Sequence, residues 1–372
     1  MHCRFVHLCR IFGRNGVTRT ITGGLLLAVV TIAIPGVAAA TNICDDPSLG
    51  LAAVKLVCGG FEKIERGDID GAVVDGQRAL ALQPNLSEAH LMLGISYYDK
   101  KEYARALVEY NKYLAVNPDN YHAWNNRAGV FLRMGNLAEA RSDIDRALVL
   151  KPNDPQLLWN RIRIASQADD WQATITDTTW LLDHYPPDAK WLVMRGRALG
   201  AVSREREALS DLQRAVRMAP TAEAYFYLGI TRDFLGQYES AVEDFTSALS
   251  IDRTLVSAYL WRCRAQYHLQ QFRAGLLDCD EYVKRNPEDY EGYYVRGILR
   301  SRARDQDGAL ADYRHATELA KTMSERANAW YGIGLANERA GRVKDAREAY
   351  YRTLQIDPQY RRAREALGRL RR

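Results

Sequence analysis

An all-α fold built from repeated helical hairpins is predicted by a lattice of prolines and two columns of small residues. Pro84, Pro118, Pro152, Pro186 and Pro220 stand at successive intervals of 34 residues, and the lattice continues at Arg253, Pro287, Lys321 and Pro358 at intervals of 33, 34, 34 and 37. With each proline as position 32 of a unit, position 8 reads Gly60, Gly94, Ala128, Ile162, Gly196, Gly229, Cys263, Gly297 and Gly334. Position 20 reads Ala72, Ala106, Ala140, Thr174, Ala208, Ala241, Gly275, Ala309 and Ala346. Small residues at two such places let two helices approach closely, and bulky residues at positions 4, 11, 24 and 28 fill the space beside them. Proline lacks the N–H that would continue a helix, so each hairpin ends at its lattice point.

Taken in order along the chain, residues 1–40 differ from the rest. Arg4, Arg10, Arg14 and Arg19 occur without an acid, and residues 21–40 carry no charge. Ala38 and Ala40 supply small residues for cleavage before Thr41, so 1–40 is expected to be a secretory signal peptide, with an uncleaved membrane anchor as the rival. The stretch TNIC before Cys44 does not fit a lipid-anchoring signal. Residues 41–52 form an N-terminal segment, and 53–360 form the repeat array. Its units are 53–86, 87–120, 121–154, 155–188, 189–221, 222–255, 256–289, 290–323 and 327–360. Gly76, where a large residue belongs, and Ile162, Thr174 and Leu181, at small positions, are expected to loosen the packing of units one and four. Residues 361–372 read as a basic capping helix.

The composition suits an ordinary packed protein, with 47% hydrophobic and 26% charged residues. Removing the four leading arginines lowers the formal charge from +5 to +1, so nucleic acid is not an expected partner. Positive charge gathers only at the C-terminus, where six arginines between Arg361 and Arg372 face Glu365. Contact with a membrane is expected only through that run or an uncleaved signal.

The alternation of small and large residues over 34 positions, clearest in AYFYLGITRDFLGQYESAVEDFTSALSID (residues 224–252), resembles the tetratricopeptide repeat. The resemblance covers 53–360 and implies a right-handed αα-superhelix, a tetratricopeptide solenoid of nine units closed by a capping helix. It also implies a non-catalytic scaffold with a concave groove lined by the first helix of each unit. The residues so placed as partner-binding candidates are Asn125, Asn126, Trp159, Asn160, Arg163 and Arg197, followed by Phe226, Trp261, Arg264 and Tyr294. The first set is polar and cationic, similar to groove asparagines that hold peptide backbone in some members of this family. The second set offers aromatic anchors for a partner, or rings that fill a narrow superhelix by packing on one another. The family's carboxylate clamp is not reproduced, since Leu91 and Ile95 stand at its lysine and asparagine positions.

Arginine at position 7 interrupts the apolar stripe in five units, as Arg127, Arg161, Arg195, Arg262 and Arg296. The same five units carry aspartate at position 23: Asp143, Asp177, Asp211, Asp278 and Asp312. In an antiparallel hairpin turning near position 15 these two positions lie level, and a buried guanidinium needs a carboxylate, so five structural salt bridges are predicted. Cys263 and Cys279 are also level across one hairpin and form a candidate disulfide, as do Cys44 and Cys58 near the N-terminus.

No chemistry emerges from the motifs. His90, His122, His184, His268 and His315 are scattered without a second ligand at metal spacing, and no nucleophile elbow, phosphate loop or zincin motif occurs. The sequence therefore predicts no enzyme, cofactor or metal, but an exported, periplasmic scaffold for protein or extended peptide, working in envelope complex assembly or secretion. The alternative from another class is a subunit that recruits envelope glycan or a separate hydrolase.

Overall fold

The computed structural model describes residues 51–370, and the regular structure in that range is entirely α-helical. The signal-peptide reading of 1–40, Cys44 and the final two arginines lie outside the described residues. The described chain divides into two compact bodies, 51–202 and 203–370. The first contains α1 (Leu51–Glu65), α2 (Ile69–Leu82), α3 (Ser87–Asp99), α4 (Tyr103–Val116), α5 (Tyr121–Met134), α6 (Leu137–Leu150), α7 (Pro155–Gln167), α8 (Trp171–His184) and α9 (Ala189–Ala201). The second contains α10 (Glu205–Met218), α11 (Ala222–Phe234), α12 (Tyr238–Ile251), α13 (Val256–His268), α14 (Phe272–Arg285), α15 (Tyr290–Arg302), α16 (Gln306–Leu319), α17 (Met323–Arg339), α18 (Val343–Ile356) and α19 (Arg361–Arg369).

Every intra-hairpin turn is closed by a left-handed residue at position 15. Gly67, Gly135, Gly236 and Gly341 hold φ between 75° and 82°, a region glycine enters without a Cβ clash. Lys101, Asp169, Ser203, Gln270 and Arg304 hold φ between 56° and 70° at the same place, at a cost of roughly 1 kcal/mol each. The second helix is then started by a side-chain cap in three units, by Asp68, Asp170 and Asp305, as where Asp170 accepts from the Ala173 amide at 3.1 Å. The 37-residue interval before Pro358 is absorbed by α17, which begins at Met323 and runs 17 residues from a capping box of Thr322 and Glu325.

Within a hairpin, positions 8 and 24 share one fixed space. A Cβ on Gly94, Gly229, Gly297 or Gly334 would come within 2.3–3.0 Å of the rings of Tyr110, Phe245, Tyr313 and Tyr350 respectively. Where position 8 is larger, position 24 shrinks: Ala128 goes with Ile144, and Ile162 with Thr178, and all four are at most 1% exposed. Unit four is therefore not loosened as the sequence suggested. Ile162, Thr174 and Leu181 are fully buried, and Thr178 satisfies its hydroxyl by donating to the Thr174 carbonyl at 2.6 Å. Unit one solves its gap differently. A Cβ on Gly76 would meet Leu93 at 2.8 Å, because leucine at position 7 of the next unit fills the space.

The pair Cys263 and Cys279 occupies the same two positions, with Cα atoms 5.7 Å apart, and the structure joins them in a disulfide. Both sulfurs belong to fully buried residues. Cys58 is likewise disulfide-bonded.

Candidate functional site

The position-7 arginines form a ladder. Arg127 donates from Nε and Nη2 to the two carboxylate oxygens of Asp143 at 2.7 and 2.8 Å. Arg161 does the same with Asp177 at 2.7 Å twice, and Arg262 with Asp278 at 2.7 and 2.6 Å. Arg296 holds Asp312, whose second oxygen also takes Arg300 at 3.0 Å. The fork geometry of guanidinium against carboxylate makes each contact bidentate. Arg195 belongs to the first body and the buried Asp211 to the second, so each is described within its own body.

Each guanidinium has a third partner 16 residues back, on the second helix of the preceding unit. Nη1 of Arg127, Arg161, Arg195, Arg262 and Arg296 donates to Asn111, Asp145, Thr179, Thr246 and Asp280, at 2.6 to 3.3 Å. These acceptors share position 25, which the sequence reading missed because their chemistry varies. Two of the units without the arginine supply a cation from elsewhere. Lys63 reaches Asp75 at 2.6 Å and Arg232 reaches Asp244 at 2.9 Å, both from position 11, one turn further along the first helix. In unit two, His90 meets Glu109 at 2.5 Å. Burial pushes the Asp244 carboxyl up to about 6, with Arg232 opposing.

On the inner face of the first body, the candidate residues meet across three successive first helices. Asn160 is nine-tenths buried and donates from Nδ2 to Oδ1 of the buried Asn125 at 2.7 Å. Its own Oδ1 has no partner, while Asn126 hydrogen-bonds the buried Tyr110. Arg133 shares the helix of Asn126, Arg163 shares the helix of Asn160, and the two arginines lie close enough for their charges to interact. Arg133 Nε donates to the Tyr98 hydroxyl at 3.3 Å. Burial and the neighbouring Arg133 charge hold the Arg163 guanidinium below the ordinary arginine range. Among the described residues no carboxylate bonds either guanidinium. Trp159 is half-buried, and Arg197 lies over the Trp171 ring at 5.1 Å. Leu91 and Ile95 are buried, so unit two presents no charged clamp.

The second body is lined otherwise. Phe226, Trp261, Arg264 and Tyr294 are 3%, 6%, 8% and 5% exposed. Phe226 packs on Phe245 at 6.0 Å, Tyr294 on Tyr290 at 5.5 Å and on Tyr313 at 5.8 Å, and Arg264 lies over the Trp261 ring at 4.2 Å. Arg264 also influences a small set of buried groups. Burial raises Asp233 to about 6 and Glu291 to about 7, with Arg264 opposing in both cases. Burial and the Arg264 charge lower His268 to about 4, its ring stacked on Tyr238 at 4.2 Å. Among the described residues no group of three or more histidine, cysteine, aspartate or glutamate side chains is placed to hold a metal ion. No helix among them is long and apolar enough to cross a membrane.

This arrangement of stacked hairpins with side chains gathered on first-helix faces defines a repeat scaffold. The family model for the tetratricopeptide repeat matches residues 91–155, 193–256 and 294–361, just over half of the sequence, and the chain belongs to that family. It is similar to a DnaJ protein P58IPK homolog of Arabidopsis thaliana, 23% identical over 75% of this chain and 67% of that protein. It is also similar to DnaJ homolog subfamily C member 3 of Rattus norvegicus, 24% identical over 73% of this chain. The chain spans only 52% of that second relative. Among solved structures, a tetratricopeptide repeat protein from Parabacteroides merdae superposes with a TM-score of 0.51 at 18% identity, covering 68% of this chain and 99% of the other.

Proposed function

We propose that the chain is a non-catalytic scaffold that binds a protein through an extended peptide segment laid on the inner face of the first body. The observation that carries this reading is an unsatisfied amide oxygen on that face. Asn160 Oδ1 lacks a donor. A peptide backbone N–H supplies one, and leaving the oxygen unmet inside a buried face costs roughly 1–3 kcal/mol. The fold favours the same reading, since family members present such faces to partners. The glycan alternative has less support, because Trp261 and Tyr294 are covered by other side chains and offer no open stacking platform.

We place this scaffold outside the cytoplasm, in envelope assembly or secretion. The charge-free stretch 21–40 behind its arginines supports export, and so does the buried disulfide, since such bonds persist in oxidising compartments. Mass spectrometry of the exported protein tests the placement, with an N-terminus at or near Thr41 expected. A chain retaining 21–40 in membranes replaces it with an anchored form.

Capture of partners from envelope extract tests the binding face. Asn160→Ala is expected to reduce capture about tenfold and, because it also strands the buried Asn125 oxygen, to lower the Tm by a few degrees, so capture is compared well below the transition. Equal capture by that variant, with loss in Arg214→Glu on the exposed side of α10, would move the working surface elsewhere.

A further inference from the structure

We infer that the outer face of the last hairpin, on α18 and continuing onto α19, docks on an anionic lipid surface. This face belongs to the second body and is independent of the peptide reading, which concerns the first.

Charge is unevenly spread along the chain. Residues 342–372 hold ten lysines and arginines against four aspartates and glutamates, a net charge of +6. With +4 on residues 1–40 and +5 on the whole chain, residues 41–341 come to −5. The fold does not use up the positive charge at this end. In earlier units the arginine at position 7 turns to a buried aspartate, as in Arg262 with Asp278 and Arg296 with Asp312. Position 7 of α19 is instead the buried Leu367, and Arg361, Arg364 and Arg369 are exposed. Arg352, Arg361 and Arg369 do reach Glu348, Glu365 and Glu338, but their side chains stay 49%, 87% and 56% exposed. Solvated pairs of this kind are weak and leave the guanidinium available to another anion. Among the described residues the exposed Lys344 and Arg347 form no salt bridge.

Apolar and aromatic side chains lie among these cations. On α18, Val343 and Tyr351 are 46% and 42% exposed, and with Trp330 of α17 they line an open groove of about 930 Å³. Lys344, Arg347 and Arg352 line the same groove, and Arg352 lies over the Trp330 ring at 4.6 Å. In five other hairpins position 25 touches position 7 of the following first helix, and here those positions are Tyr351 and Leu367. That register brings the groove to the edge of α19 and its arginines. Tryptophan and tyrosine set among lysine and arginine match the headgroup level of a bilayer, where rings meet the interface and cations meet lipid phosphates. An acidic peptide would need only the groove. The cations reach past it onto a second helix, and that breadth favours a surface over a single segment.

The test is sedimentation of the chain from Thr41 onward with vesicles of phosphatidylcholine alone or with about one-third phosphatidylglycerol. This chain lacks the charge-free stretch 21–40, which could enter lipid by itself. Retention on the anionic vesicles is expected to exceed that on the neutral ones at least about tenfold, and to fall several-fold as salt rises from about 0.05 M to about 0.5 M. The double variant Lys344→Gln, Arg347→Gln should lose most of the difference with an unchanged melting curve. Tyr351→Ser should weaken retention about threefold without altering charge. Removing two exposed arginines elsewhere, by Arg214→Gln with Arg217→Gln on α10, should leave retention as it was. Equal retention on both kinds of vesicle overturns the inference, as does a loss in the α10 variant that matches the loss in the α18 variant. Capture of poly-glutamate without retention on vesicles overturns it in favour of an acidic protein segment.

Discussion

The two bodies use one repeat and line it in opposite ways. In the first, the inner face carries asparagines and arginines, among them Asn125, Asn126, Asn160 and Arg163, and the Asn160 oxygen is left without a donor. In the second, the corresponding face is filled with rings, and Phe226, Trp261 and Tyr294 pack against one another's neighbourhoods and against the position-24 aromatics. The hairpin seam beneath is the same in both, with aromatic or aliphatic bulk set against a small partner and arginine against aspartate. The contrast teaches that the seam fixes the fold and leaves the inner face free to specialise. One body lines that face with polar side chains and the other mostly with rings that pack on one another, while buried unsatisfied oxygens occur in both, at Asn160 and at Asp233 and Gln266.

The sharpest way to break this comparison is to remove one guanidinium from each seam. Arg161→Leu leaves Asp177 buried without a cation and is expected to destabilise the first body by about 3–5 kcal/mol in denaturant unfolding. Most of that loss should return in the double variant with Asp177→Leu. Arg296→Leu should cost about half as much, because Arg300 Nη1 still reaches Asp312 at 3.0 Å. Equal losses at the two sites would show that the second cation contributes nothing.

Next in size is the disulfide. Replacing both Cys263 and Cys279 with alanine should lower the stability of the second body by about 3 kcal/mol, since the bridge closes a loop of 16 residues. Hydrogen exchange should rise in α13 and α14 and stay unchanged in α1 to α8. The exchange of bulk between positions 8 and 24 gives a smaller effect. Gly229→Ala drives a methyl to 2.7 Å from the Phe245 ring and is expected to cost about 1–3 kcal/mol by thermal unfolding. Adding Phe245→Ile, which recreates the pairing of Ala128 with Ile144, should recover part of it.

Acidity separates the bodies as well. Asp233 and Glu291 in the second body are raised to about 6 and about 7, so the fold holds their protons more tightly than the unfolded chain does. The stability they add is fully present below pH 4 and is lost as pH rises toward 7. His268, lowered to about 4, acts in the opposite sense, and its contribution falls away as pH drops from 6.5 toward 4. The two raised carboxyls outweigh the histidine, so the second body should lose stability steadily as pH rises, by on the order of 1–2 kcal/mol between pH 5 and 8. The smallest expected effect lies in the turns. Lys101→Gly and Gln270→Gly, both at left-handed φ near 60°, should each add up to about 1 kcal/mol.

Much of the seam is legible in the sequence because it depends on spacing. Position 7 and position 23 carry the same two residue types wherever they pair, so the 16-residue interval between Arg127 and Asp143 can be read without coordinates. The third partner cannot be read in this way. Asn111, Thr179, Thr246 and Asp280 share a geometry but no chemistry, and a column of mixed acceptors looks like ordinary surface. The loosened packing expected in unit four came from reading Ile162 alone, when its volume is matched by Thr178 across the hairpin. The inner face was legible as a set of residues and not as contacts. Asn125 and Asn126 are adjacent in sequence, yet one turns to Asn160 and the other to Tyr110. The unsatisfied atoms, Asn160 Oδ1 in the first body and Asp233 Oδ1 and Gln266 Oε1 in the second, appear only once those bonds are assigned.

The backward bond from each arginine bears on how such a chain can gain or lose length. Excision of residues 121–154 would bring Arg161 to the acceptor left by Arg127, the side-chain oxygen of Asn111, while Asp177 would remain its carboxylate. A deletion of one whole unit thus leaves no guanidinium stranded, whereas a cut between position 7 and position 23 of an arginine-bearing unit breaks its partnerships. Duplication obeys the same arithmetic in reverse. The latch that ties five of the hairpins to their predecessors therefore acts as a ruler, favouring growth or shrinkage of the array in whole units.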